Sequence, residues 1–346
     1  MKPSKRHSFS TSTPSPSEEA LQAPNLPALT VLIASFNSKA TIGKCLSSLL
    51  AQKTIQRFEV IVADSSDDDT SAIVAEHFPQ VRLLRLQGHH YAGSARNAAL
   101  AIARGPIVAL VDADCMVPPD WVERILAAHQ GYPSLAIGGA IDNSARSSVI
   151  GWASYFCEFS RWMPCGRLRL MGDVAGASMS YKREVFERYG RFIEGTYCSD
   201  TEFHWRLARN GQAVLFDPSI LVEHASIESL PHYLAHEFAH GRFFSRVRGR
   251  FKGFSRPRKI LNSLSSPFIF PVVLARTVHN VLACRAHRLL LWKSFPALTL
   301  GIACWCAGEA VGYVDGLRRT IVPLERMDEN GKRVSENKTL AGSLDG

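Results

Sequence analysis

Asp112 and Asp114 stand one residue apart at the end of the apolar run Pro106–Val111 (PIVALV). In an extended segment residues i and i+2 point to the same side. A D-x-D pair there offers hard oxygen ligands suited to Mg2+ or Mn2+. Such a cation would neutralise a diphosphate and stabilise it as a leaving group. Asp64 follows a second apolar run, Phe58–Ala63 (FEVIVA). A third pattern is His236-Glu237-Phe238-Ala239-His240, or HEFAH. It has the His-Glu-x-x-His spelling of a zinc peptidase helix, with two imidazoles one turn apart on the metal and a glutamate activating water. His232, His236 and His240 recur every fourth residue and would share a helix face. A peptidase also needs a third ligand, and the arginine-rich sequence after His240 is a poor neighbourhood for a divalent cation. The zinc metallopeptidase therefore stands as a remote alternative. The helix is expected to contact an acceptor or to pack near a membrane. No Ser-His or Cys-His pair at recognisable spacing suggests a covalent nucleophile.

The surrounding elements explain why these acids would meet. Leu29–Ala34 (LTVLIA) is a short apolar run of the kind buried on both faces of a parallel sheet. The turn Ser35-Phe36-Asn37-Ser38 can cap a helix through Leu50. A strand over Phe58–Ala63, a helix over Thr70–His77 and an alternating strand over Val81–Leu86 follow. A helix of small residues over Ala92–Arg104 then ends at Gly105, and the strand Pro106–Val111 runs into Asp112. Strand and helix alternate in this way in doubly wound α/β sheets. Ligands bind such sheets beyond the carboxyl ends of the strands, so Asp64 and Asp112 are expected to face one crevice. Asp67, Asp68 and Asp69 are read as a structural acidic turn.

The order of seven segments between Leu29 and His224 resembles the family 2 inverting glycosyltransferases with the GT-A fold. They are TVLIASFNSKATIGKCLSSLLAQ, FEVIVADSSDDDTSAIV, GSARNAAL, VALVDADCMVPPDWVERIL, GDVAGASMSYKREVFERYGRF, CSDTEFHWRLARNG and FDPSILVEH. The resemblance implies a mostly parallel GT-A-type sheet flanked by helices, a divalent cation cofactor, and a donor that is a nucleotide-diphosphate sugar. It assigns nucleotide-sugar contacts to Ala34, Phe36, Asp64, Arg96 and Asp112. It makes Asp114 the main metal ligand, with Asp112 and His224 as further metal or phosphate contacts, and Asp200 the general base. Two positions depart from the family pattern: Ser65 stands where a second acid is common, and Ser199 where a glutamate often precedes the base. Each role has a plainer counterpart. An acid in a helix's first turn is favoured by the macrodipole, which covers Asp200 and Glu202. Arg96 can be a simple salt bridge, and His224 a hydrogen-bonded core histidine.

The chain has 346 residues, is 46% hydrophobic and carries a formal charge of +9. That length suits one large α/β domain with an appendage. The charge is uneven: residues 30–230 hold 19 Lys/Arg against 21 Asp/Glu, and residues 231–293 hold 12 against the single acid Glu237. Eight Lys/Arg fall between Arg242 and Lys259, interleaved with Phe243, Phe244, Val247, Phe251 and Phe254. Nucleic acid or an anionic membrane could receive such a segment. The apolar stretches Leu261–Cys284 and Phe295–Val314 favour the membrane, because nucleic acid would not require them; buried helices packing under the α/β domain are the soluble alternative. The second stretch is long enough to span a bilayer, while Pro267 and Pro271 leave the first interfacial or re-entrant. Trp292, Lys293, Arg318 and Arg319 suit interface anchors.

Met1–Pro27 lacks the apolar core of a signal peptide, and the eight cysteines lack a CxxC spacing and are read as reduced packing thiols. The expected organisation is a disordered tail over 1–26, a transferase domain over 27–230, a basic amphipathic arm over 231–260, membrane-associated helices over 261–320 and a flexible tail over 321–346. The expected function is sugar transfer with inversion to a hydroxyl acceptor, lipid-linked or polysaccharide, by a membrane-associated enzyme with a cytoplasmic catalytic domain. A non-catalytic membrane scaffold with a transferase-like fold is the alternative.

Overall fold

The computed structural model describes residues 26–317. Nearly all of the expected N-terminal tail, the C-terminal tail, Arg318 and Arg319 lie outside the described residues. In chain order the elements are β1 (Leu29–Ser35), α1 (Ile42–Leu50), β2 (Phe58–Asp64), α2 (Thr70–His77), β3 (Arg82–Arg85), α3 (Ala92–Ile102), β4 (Ile107–Leu110), β5 (Cys115–Met116), α4 (Trp121–Gly131), β6 (Ala136–Asn143) and α5 (Val149–Phe159). Then come β7 (Arg169–Met171), a 3-10 turn at Gly176–Ser178, β8 (Met179–Lys182), α6 (Glu184–Tyr189), α7 (Ser199–Arg209), β9 (Val214–His224), α8 (Leu230–Phe251), α9 (Arg256–Ser265), α10 (Phe270–Ala283) and α11 (Arg288–Asp315).

The first four strands form a parallel sheet in the order β3-β2-β1-β4. The apolar runs behave as expected of strands covered on both faces: Leu29, Val31, Leu32 and Ile33 are buried, as are Val60 to Ala63. α1 buries Ile42, Cys45, Leu46 and Leu49, the i, i+3, i+4, i+7 stripe of an amphipathic helix. The register puts Ser35 beside Asp64 and Leu32 beside Leu110. The carboxyl ends of β2, β1 and β4 therefore lie side by side.

Beyond β4 the sheet becomes mixed. β8 joins β4 antiparallel, β6 joins β8 antiparallel, and β9 runs parallel to β6 with a register shift between Gly139 and Ala140. β5 and β7 are two- and three-residue strands that pair only with β9. The sheet is thus doubly wound only in its first half. The second half is built from long-range, mostly antiparallel pairings that place β9 opposite the D-x-D turn.

α8 follows directly and runs for 22 residues. The expected boundary at residue 230 falls at its start, so the segment anticipated as a separate arm begins as a helix against the sheet domain. α11 lies along α8 at very short range. A Cβ at Gly308 would collide with the carbonyl of Phe238, and one at Gly241 with that of Trp305. Two ion pairs fasten the helices, Arg242–Asp315 at 2.6 Å and Arg248–Glu309 at 3.3 Å. The stretches Arg256–Ala283 and Arg285–Asp315 are long and apolar enough to cross a membrane by length and composition.

Candidate active site

The site is built from strand ends outward. At the end of β2, Asp64 is 1% exposed and accepts hydrogen bonds from Ser66 and Ser71. Beside it, Ala34 and Phe36 at the end of β1 line an open pocket together with Tyr91, Tyr197, His240 and Phe243. Phe36 meets the edge of His89 at 4.4 Å, and Tyr91 meets Phe243 of α8 at 5.6 Å. The cleft at these strand ends therefore ends in an aromatic wall on which a ring can stack.

Past β4, Asp112 accepts from Arg96 of α3 at 2.5 Å. Arg96 is 3% exposed. Burial opposes its charge, but Asp112 first and Asp200 next outweigh burial and hold its pKa above the ordinary value. Asp200, in the first turn of α7, is fixed by the Gly176 N–H, which donates to Oδ2 at 2.7 Å. Its loop arrives through Cys198, a non-glycine residue at φ +59°. A left-handed residue of this kind costs roughly 1–2 kcal/mol, and such conformations cluster at functional sites. The helix dipole supports the carboxylate. Gly176 is required by closeness: a Cβ there would lie 2.7 Å from Arg96 Nη1 and 2.8 Å from Asp200 Oδ2. Arg96 thus stands between two carboxylates that are 88 residues apart in sequence, Asp112 and Asp200.

Asp114 faces His224, the last residue of β9, with Oδ2 and Nε2 3.4 Å apart. The pairing of Cys115 with His224 across β5 and β9 sets this approach. Burial, opposed by His224 and reinforced by Asp112, raises the Asp114 pKa. A third of that side chain still faces the cleft. Asp114, His224 and Cys115 bring ligand atoms within 4.8 Å of one another. Cys115 is buried, which together with Asp114 and Asp112 drives its thiol pKa well up. The donor set that fits a hard divalent cation is therefore Asp114 with His224, and Cys115 remains a protonated neighbour.

Arg96 contacts Asp112, Asp200 lies close by across Gly176, and Asp114 meets His224 two residues further on. Asp64, Ala34 and Phe36 sit at the neighbouring strand ends. Glu202, read as a first-turn helix acid, pairs with Arg206 at 2.8 Å on its own helix.

Sequence reasoning missed Glu158. It sits in the last turn of α5, 3.6 Å from His236 of α8. Burial opposes its charge, but His236, then His224 and His240, pull its pKa well below the usual range. Burial and Glu158 push neighbouring Glu237 the other way. The available signal was a lone acid in the apolar helix VIGWASYFCEF. The same geometry removes the peptidase reading of HEFAH. Here His236 gathers with Glu158 and Glu237, while His240 lies outside that group, its ring 6.2 Å from that of His236. The motif's glutamate is grouped with one imidazole and a second carboxylate and not with two imidazoles.

The Glycosyl transferase family 2 model matches residues 30–190. The succinoglycan biosynthesis protein ExoO of Rhizobium meliloti (strain 1021) is 39% identical over 102 residues, 29% of this chain and 29% of that protein. The beta-monoglucosyldiacylglycerol synthase of Synechocystis sp. is 25% identical over 317 residues, 85% of this chain and 64% of that protein. The chain thus spans less than two thirds of the length of either relative. Among solved structures, a mannosyltransferase from Pyrobaculum calidifontis in complex with GDP-Man and Mn2+ superposes with a TM-score of 0.57 at 20% identity, covering 86% of this chain and 93% of that one. That likeness is one of fold.

Proposed function

We propose, from the match of residues 30–190 to the Glycosyl transferase family 2 model, that this chain transfers a sugar from a nucleotide-diphosphate donor to a hydroxyl acceptor with inversion. The observation that carries the reading is Arg96, buried between Asp112 of the D-x-D turn and Asp200 of α7. It pairs with the candidate cation-binding turn and lies, across Gly176, close to the candidate base.

In this reading Asp200 takes the acceptor proton. Gly176 holds Oδ2, and Oδ1 is the oxygen assigned to the acceptor hydroxyl. As the O–H bond breaks, the acceptor oxygen bonds to the anomeric carbon, and the bond from that carbon to the diphosphate breaks on the opposite face. One displacement inverts the centre and needs no covalent intermediate. Asp64 and the Phe36 side of the pocket receive the nucleoside, and Arg96 positions Asp112 toward the ribose and diphosphate. Asp114 and His224 would hold a divalent cation, Mg2+ or Mn2+, whose chemistry when bound is to neutralise the departing diphosphate.

The acceptor is proposed to be lipid-linked or a growing polysaccharide. Supporting this are the exposed apolar residues Leu264, Phe268 and Val272 next to the basic segment, and the glycolipid and polysaccharide products in the relatives' names. Membrane association through α9–α11, with the catalytic domain on the cytoplasmic side, follows from the excess of Lys/Arg beside those helices.

The test is a thermal-shift screen of nucleotide diphosphates with Mn2+, followed by donor hydrolysis with the stabilising nucleotide's sugars. A specific binder stabilises by mass action. Metal-dependent nucleotide binding lost in Asp114→Ala is the expected result. The same affinity without any cation would count against the assigned roles, and no affinity for any nucleotide would favour the scaffold alternative.

A further inference from the structure

Glu158, His236 and Glu237 form a second ligand cluster, separate from the D-x-D turn, at the junction of α5 and α8. Their ligand atoms lie within 4.8 Å of one another. Glu237 is 1% exposed and His236 9%. Glu237 Oε1 is buried with no hydrogen-bond partner among the described residues. We propose that these three side chains bind a first-row divalent cation, of the Zn2+ class, that clamps α5 to α8 beside the transfer site.

The chemistry favours such an ion. A buried carboxyl oxygen left without a partner is unfavourable. A divalent cation takes up that orphan oxygen, displacing a proton as it binds. One imidazole with two carboxylates suits Zn2+, Mn2+ or Fe2+ better than Mg2+ or Ca2+. Tetrahedral zinc with bonds of about 2.0–2.1 Å separates its ligands by about 3.4 Å. The Glu158–His236 distance of 3.6 Å is already close to that, and the other spacings, all within 4.8 Å, close by at most about 1.4 Å. Ser154 donates to Glu158 Oε1 at 3.2 Å, the oxygen that faces His236, and helps orient that carboxylate.

Such a clamp has a place in the transfer site. α8 contributes His240 and Phe243 to the pocket wall, and α5 contributes Phe159, whose ring lies 4.8 Å from His224. Joining α5 to α8 therefore fixes the pocket wall relative to the Asp114–His224 pair.

The experiment uses the full chain, stripped with chelator, reloaded with Zn2+ without nucleotide and desalted. Metal content and melting temperature are then measured. The expected result is about one retained zinc per chain with a raised melting temperature. Asp114→Ala should retain that zinc, and Glu158→Gln and His236→Ala should bind it at least tenfold more weakly. Glu237→Gln, nearly isosteric, is the variant that guards against misfolding, with far-UV circular dichroism as the check. Co2+ in place of zinc should give visible d–d absorption that Glu158→Gln abolishes. No retained metal in the native chain would overturn the site, as would loss of the metal in Asp114→Ala or its full retention in Glu158→Gln and Glu237→Gln. Because nucleotide is absent throughout, failure here is distinguishable from failure of the transferase reading.

Discussion

At the scale of single residues, Asp200 and Gly176 carry separable predictions. Asp200→Asn keeps the shape of the side chain and its bond to the Gly176 N–H but cannot take a proton. Transfer should fall by about 10^2–10^4-fold, the usual worth of a positioned base, while nucleotide binding stays unchanged; a thermal shift with nucleotide diphosphate and a transfer assay read the two apart. Gly176→Ala introduces a methyl group less than 3 Å from Arg96 and Asp200. It should lower kcat by at least tenfold with little change in melting temperature, because the displaced atoms are side-chain ends and not core. The D-x-D turn was legible in the sequence because an apolar run pointed at it, and strand direction alone put Asp64 on the same edge. Glu158 was not legible as part of a site. Its partners His224 and His236 lie 66 and 78 residues downstream, and only the return of β9 and the laying down of α8 bring them together. HEFAH was legible as a spelling, but the spelling does not encode which of its side chains converge.

At the scale of elements, α4 shows how packing writes a pH dependence. His129 is 6% exposed, and its Nε2 lies 2.9 Å from the Ser180 hydroxyl of β8. Burial first, and Lys182 second, lower its pKa from 6.5 to about 4. Between those values the unfolded chain binds more protons than the folded one. Stability from this residue is therefore complete above the unfolded pKa and is lost as pH falls toward 4. The loss is at most about 3 kcal/mol, and His129→Gln, which keeps a partner for Ser180, should flatten it in urea unfolding measured across that range. The contact of α11 with α8 sets a second test. Gly308→Ala should destabilise by about 2 kcal/mol, in the range of overpacking, because the obstacle is the Phe238 backbone carbonyl. The long amphipathic helices and the buried strands were legible from periodicity. β5 and β7 were not: two or three residues hold no period, and their strand character comes from the ladder of β9.

At the scale of the whole molecule, charge and apolar exposure are segregated to one end. Residues 30–230 are nearly neutral, whereas the segment from 231 to 293 is strongly basic. α9 buries none of its residues, and Ile260, Leu261, Leu264 and Phe268 are 48–79% exposed. Exposed apolar side chains next to cations match an anionic bilayer surface, to which each nearby Lys or Arg contributes about 1 kcal/mol. Not every basic residue is available. Lys259 donates to the Gly316 carbonyl at 2.7 Å and Arg256 to the Leu317 carbonyl at 3.3 Å, so both are engaged at the end of α11. Arg250, Lys252 and Arg258 are exposed and are the residues to change. Neutralising them with glutamine should weaken binding to vesicles containing anionic lipid by about a hundredfold, from roughly 3 kcal/mol, and leave metal-dependent nucleotide affinity intact. Leu264→Asp with Phe268→Asp should instead weaken binding to neutral and anionic vesicles alike, since it removes the buried apolar area. Cosedimentation at low and high salt separates the two. Unaltered binding in both variants would move the membrane contact away from α9 altogether.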